Sequence, residues 1–181
     1  MKNIYIVLTI VIVYLLYKNK NVVRTKINSY KMVINENDIK QAFIDLKKIF
    51  TKETLQVTEK ILRLETAHFS SGGYKNTLGA GMEVFKNSFP YGWNSLKIFW
   101  EQNPQFAPVK FWTVNENVQK DVKNSGVKKT FLVFPSVISG IATTAQIMKL
   151  RGNNAGAWFS KDLVSQERYN SKIEQIKARY V

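Results

Sequence analysis

Apolar positions recur at helical spacing through most of the chain, and the places where that rhythm breaks divide it. From Ile4 to Tyr17 the run is unbroken except for Thr9. At about fourteen residues it is shorter than the ~20 that cross a bilayer comfortably. Tyr5, Tyr14 and Tyr17 suit the interface, and Lys18 and Lys20 can reach the headgroups, so a short span through residues 4–17 is feasible. A secretory signal has an apolar region of this length, yet Lys18-Asn-Lys-Asn-Val-Val-Arg24 offers no small-residue cleavage site. A buried strand is the remaining alternative. The pattern predicts a retained N-terminal membrane anchor over 1–17, a basic linker over 18–36 and one folded domain over 37–181.

Within the domain, Asn37 or Asp38 reads as the N-cap of a helix through Phe50, with Ile39, Phe43, Leu46 and Phe50 on one face. Thr51 or Thr54 starts a second helix that ends near His68. Phe89-Pro-Tyr-Gly-Trp93 is a turn, and Leu96, Phe99 and Trp100 mark a short helix after it. Pro104 and Pro108 bound a loop. Phe111–Val114 and Thr130–Phe134 are aromatic and β-branched, with Asn124-Ser-Gly126 as turn material between them, which predicts two short strands in a hairpin-like excursion. Pro135-Ser136 opens a helix carrying Ile138, Ile141, Ala142, Ala145 and Met148, and Gly152 stops it. A last helix from about Ser165 places Tyr169, Ile173, Ile176 and Tyr180 on one stripe. The expected fold class is mainly α (α+β).

Composition narrows the chemistry. The 181 residues suffice for one core. Hydrophobic residues make up 45% and charged residues 22%, the balance of a folded domain rather than a disordered one. Cysteine is absent and histidine occurs once, so a thiolate metal site has no ligands and a Ser-His-Asp triad little to draw on. No metal or cofactor is expected, and acid–base work falls to carboxylates. The formal charge of +14 calls for an anionic partner: nucleic acid, anionic lipid or the acidic polymers of a bacterial wall. Most of it is lysine spread along the chain, without a zinc finger or a glycine-loop RNA clamp, which favours general anionic attraction over sequence readout.

The best candidate for chemistry is the stretch from Lys60 to Met82. Ile61 and Leu62 lie four and three residues before Glu65, so the spacing puts all three on one helical face. A carboxylate in an apolar setting at a helix end is held protonated more easily, as a general acid requires. The alternative is a surface Glu ending an ordinary core helix. His68 either bonds to Glu65 or to a ligand, or packs at the helix end. Gly79 and Gly81 let backbone come close to a ligand, or simply form a turn. Tyr91, Trp93 and Trp112 either stack on a ligand or belong to the core.

Three stretches carry a resemblance to a known family. Leu62-Arg-Leu-Glu-Thr-Ala-His-Phe-Ser-Ser71 is similar to a helix with Glu, a small residue and an aromatic-Ser segment. Asn76-Thr-Leu-Gly-Ala-Gly-Met82 is similar to an Asn-Asn-x-Phe-Gly-Met-like turn after that helix. Thr130-Phe-Leu-Val-Phe-Pro-Ser136 is similar to a Phe-x-x-Tyr-x-Ser entry into a helix. In this order, over roughly residues 40–181, the set resembles the bacterial glucosaminidases and lytic transglycosylases of the lysozyme-like superfamily. The resemblance implies a lysozyme-like helical domain that cleaves peptidoglycan glycan strands. It makes Glu65 the catalytic acid and Tyr169 a late tyrosine of the cleft, and it places Gly79, Gly81, Met82 and Phe134 at the substrate. The chain departs from the pattern at Ala80, where an aromatic is usual, and at Phe134, where tyrosine is common.

Most glycosidases pair the acid with a second carboxylate. Here Glu83, Glu101, Glu116 and Asp121 are the nearest downstream acids, and each also reads as a solvated charge. One-acid schemes stay open, in which the substrate's N-acetyl group assists or its own hydroxyl attacks. The bond cleaved, and hydrolysis against anhydro-product release, stay open too. Lys18, Lys20, Arg24 and Lys26 follow the apolar run and only Lys2 precedes it, so positive-inside logic places the domain in the cytoplasm. Wall cleavage is reconciled with that orientation if the span inserts late or if the protein belongs to a membrane-containing phage virion. The expectation is a membrane-anchored, single-pass lytic enzyme of a bacterial envelope or such a virion. The alternatives are a non-catalytic lysozyme-like structural protein with virion or envelope assembly partners, and a basic membrane protein that binds nucleic acid.

Overall fold

The helix opened by Ser136 organises everything around it. The computed structural model describes residues 34–80, 82, 93–115, 128–159 and 161–181. In chain order these form α1 (Glu36–Leu46), α2 (Lys52–Glu65), α3 (Gly72–Thr77), α4 (Trp93–Gln102), a 3-10 turn (Pro104–Phe106), β1 (Lys110–Asn115), β2 (Lys128–Val133), α5 (Val137–Leu150), α6 (Gly156–Phe159) and α7 (Leu163–Glu174). The fold is mainly α. Ser136 caps α5, its hydroxyl accepting from the Ser139 amide at 3.4 Å. Residues 139–145, Ile147 and Met148 of α5 are buried, and a helix covered nearly all round needs partners on every side. It has them in α1, α2, α4 and the 3-10 turn. Its hydroxyls are satisfied inside: Thr143 Oγ1 accepts from Trp100 Nε1 at 3.0 Å, and Ser139 Oγ donates to the Gln105 carbonyl at 2.8 Å.

The two strands pair antiparallel, with Lys110 opposite Val133 and Asn115 opposite Lys128. The segment after α3 runs beside β2, since Phe134 N donates to the Thr77 carbonyl at 2.9 Å and Leu132 N to the Met82 carbonyl at 3.0 Å. Two glycines make this possible. A Cβ on Gly140 of α5 would stand 1.7 Å from the Leu78 carbonyl oxygen, and one on Gly79 would stand 2.9 Å from the Phe134 ring. Helix, turn and strand therefore meet at van der Waals contact, with no room for a side chain at either position.

Several boundaries differ from the sequence expectation. The N-cap of α1 is Asn35, not Asn37 or Asp38; its Oδ1 accepts from the Asp38 amide at 2.9 Å, and Glu36 and Asp38 then fall in the first turn, where acids suit the helix dipole. Ile34, just before the cap, already packs on the core. The helix ends at Leu46, and buried Phe50 follows in a turn. Thr51 caps α2, which stops at Glu65 rather than His68. Asp162 caps α7, which ends at Glu174, so Ile176 and Tyr180 lie beyond the helical stripe. Among the described residues no helix is long and apolar enough to cross a membrane. The anchor expected at residues 4–17, the linker up to residue 33 and the turn at 89–92 lie outside the described residues.

Candidate active site at the end of α2

The last turn of α2 separates two carboxylates. Glu59 faces inward and is fully buried; Glu65 closes the helix and is exposed. The expected burial of Glu65 against Ile61 and Leu62 is therefore not found. Both of those side chains point into the core, whereas the helix ends at Glu65 and a cleft opens over that end. The cleft has a volume of about 110 Å³, and Glu65, Thr66, Ser71 and Tyr74 form part of its lining. Gly73, Thr77, Gly79 and Phe131 complete it. This is well below the roughly 300–1,000 Å³ of a drug-sized ligand site, so the described residues enclose room for only a small group.

The backbone just past Glu65 is unusual. Ala67, His68 and Phe69 have φ of 48°, 56° and 67°, three successive residues in the left-handed region, which costs about 1–2 kcal/mol each for residues with a Cβ. Thr66 holds the turn: its hydroxyl bonds to the Leu62 carbonyl and accepts from the Phe69 amide at 2.8 Å, and its carbonyl accepts from Ser70 and Ser71. Phe69 anchors the turn by burying its ring against Tyr74, centroids 5.5 Å apart. Ser71 then caps α3 through the Tyr74 amide. The chain thus doubles back within a few residues and lays α3 along the cleft.

The carboxylate of Glu65 is held by Tyr169. Tyr169 Oη donates to Glu65 Oε1 at 2.6 Å, joining residues 104 positions apart in sequence. Tyr169 is buried on α7. Burial raises the pKa of its hydroxyl, and the hydrogen bond to Glu65 and the charge of Glu65 add to that, so it remains a donor throughout the neutral range. Tyr74 is pushed up too, by burial, and its Oη has no hydrogen-bond partner among the described residues.

The other expected site residues divide. Gly79 lines the cleft and gives up its side-chain space to Phe134. Phe134 and Met82 were expected at the substrate; both are buried and pack behind Gly79. His68 is exposed and lies outside the helix, so helical spacing does not bring it to Glu65. Its amide donates to the Arg63 carbonyl at 2.8 Å. Trp93 packs edge-on against Trp100, centroids 5.5 Å apart, at the margin of the core. Trp112 lies in β1, in register with Phe131. Gly81 and Tyr91 are outside the described residues, as are Glu83, Glu116 and Asp121; Glu101 is exposed on α4.

Glu59 escaped the sequence reading. Arg63 Nε donates to Glu59 Oε1 at 2.8 Å, and Nη2 stands 2.7 Å from the same oxygen as an ion pair. The amides of Arg179 and Tyr180 donate to the two Glu59 oxygens at 2.7 and 3.0 Å. The Arg63 guanidinium also lies over the Tyr180 ring, 4.7 Å from its centroid. This assembly fastens the C-terminal segment to α2. The only hint in the sequence was a Glu and an Arg one helical turn apart. Among the described residues no group of three metal-ligating side chains forms. Comparisons of the chain with protein families, with curated proteins and with solved structures found no match.

Proposed function

We propose that this chain is a peptidoglycan-cleaving glycosidase built on a lysozyme-like helical domain, with Glu65 as its acid. The observation that carries the reading is the hydrogen bond from Tyr169 Oη to Glu65 Oε1 at 2.6 Å. It fixes one carboxylate at the edge of a cleft, on the residue that the sequence resemblance selects. Glu65 protonates the bridging oxygen of the glycosidic bond; the C–O bond breaks with its electron pair passing to that oxygen, and an oxocarbenium-like centre is left on the sugar. Water or the substrate's own hydroxyl then attacks this centre, and the Glu65 carboxylate takes the proton released. Tyr169 positions the carboxylate, leaving its other oxygen free for the substrate. Because the free protein leaves Glu65 exposed, the water-poor setting that a general acid needs must come from the glycan closing over the cleft.

The apolar run at residues 4–17 and the charge of +14 fit a domain tethered at a membrane and drawn to anionic wall polymer, in a bacterial envelope or a membrane-containing virion. The test is wall clearing by the full chain in detergent micelles, with Glu65→Gln beside it. Loss of clearing in a variant of unchanged melting temperature supports the reading. Equal clearing by the two removes Glu65 as the acid, and no clearing by the unmodified chain assigns the domain a structural role instead.

A further inference from the structure

Phe159 ends α6 with 62% of its surface exposed, yet its ring is not loose. It stacks on Tyr169, centroids 5.1 Å apart and planes 11° from parallel. Tyr169 is itself buried and bonded to Glu65, so one face of the Phe159 ring rests on the residue that holds the acid. The mount beneath it is firm. The Gly156 amide donates to Asn154 Oδ1 at 3.0 Å and to Asn170 Oδ1 at 2.6 Å, and a Cβ at Gly156 would stand 2.6 Å from the Gln166 carbonyl, so α6 lies directly against α7. Leu163 and Val164, 72% and 57% exposed, open α7.

We infer that Phe159 is a sugar-stacking platform for the same glycan that Glu65 cleaves, an inference that rests on the glycosidase reading above. A pyranose presents one face of C–H groups, which pack on an aromatic ring without any charged partner. Phe159 supplies such a ring, braced from behind and open in front, one side chain away from the acid. The cleft at Glu65 is too small to hold a glycan along its length, so neighbouring sugars need surface outside it. The Phe159 ring provides that surface.

The test uses the full chain in detergent micelles, with purified peptidoglycan glycan strands as substrate. Phe159→Ala should raise KM about 3- to 10-fold, the range of one aromatic contact, while kcat stays within twofold. Phe159→Trp should restore the original KM. In a Glu65→Gln background, Phe159→Ala should weaken glycan binding by the same factor. Unchanged KM and binding in Phe159→Ala, while Glu65→Gln still abolishes cleavage, overturn the platform and leave the glycosidase standing. Normal glycan affinity with lost binding to anionic lipid vesicles assigns the patch to a membrane and also overturns it. Absence of both binding and cleavage in the unmodified chain removes the glycosidase reading and the platform together.

Discussion

Glu59 and Glu65 leave α2 in different directions, and their surroundings give them different work. Glu59 is buried with two backbone amides and one guanidinium, so its charge is fully used in holding Arg63 and the backbone of residues 179 and 180. Removing one member of such a pair leaves the other charge buried and alone. Glu59→Ala should therefore cost about 3–5 kcal/mol in denaturant unfolding, a loss that Glu65→Gln, at an exposed site, should not share. Tyr74 makes the opposite case. Its buried hydroxyl has no partner among the described residues, so Tyr74→Phe should keep or raise the neutral-pH stability, by roughly 1 kcal/mol. The same substitution should change the alkaline limb of the stability curve. Folded Tyr74 and Tyr169 titrate above their ordinary value, so the stability they contribute is intact below about pH 10 and is lost as pH rises through their folded values. Tyr74→Phe should lose less stability than the unmodified protein above that pH.

Where elements meet, backbone contact sets the tolerance. Gly140→Ala puts a methyl carbon 1.7 Å from the Leu78 carbonyl, which neither α5 nor the turn can absorb in place. A loss of about 3 kcal/mol or more is expected, measurable as a fall in the unfolding midpoint, whereas Gly72→Ala meets nothing within 4 Å and should be nearly neutral. Much of this level was legible beforehand. The core stripes of α1 and α5, the caps Thr51 and Ser136 and the strand pair follow from spacing and hydroxyl placement, because those signals act within one turn of chain. The left-handed turn at 67–69 was not legible, since Ala, His and Phe do not ask for positive φ; Thr66 and the buried ring of Phe69 impose it. The short helices α3 and α6 were missed for a similar reason. Each is too brief to show a period and is held by contacts with β2 or α7. Of the residues singled out in the sequence, Glu65 and Gly79 line the cleft while Phe134 and Met82 turn inward; the stacking of Phe159 on Tyr169 gave no sign, because it depends on a partner from another helix.

At the scale of the whole molecule, the fold brings the end of α2 to the middle of α7 and closes the arrangement by returning the C-terminal segment to Glu59. One carboxylate is thereby left at a cleft edge with a buried tyrosine fixing it, in a strongly cationic chain. We propose that this carboxylate transfers a proton to a wall glycan. Mass spectrometry of the products released from purified peptidoglycan by the full chain, compared with Glu65→Gln of equal melting temperature, tests it most directly. The account predicts new glycan ends from the unmodified protein and at least a roughly hundredfold lower yield from the variant, since proton transfer by a positioned side chain contributes about 10²–10⁴-fold. Equal yields of the same glycan ends from both proteins would contradict it.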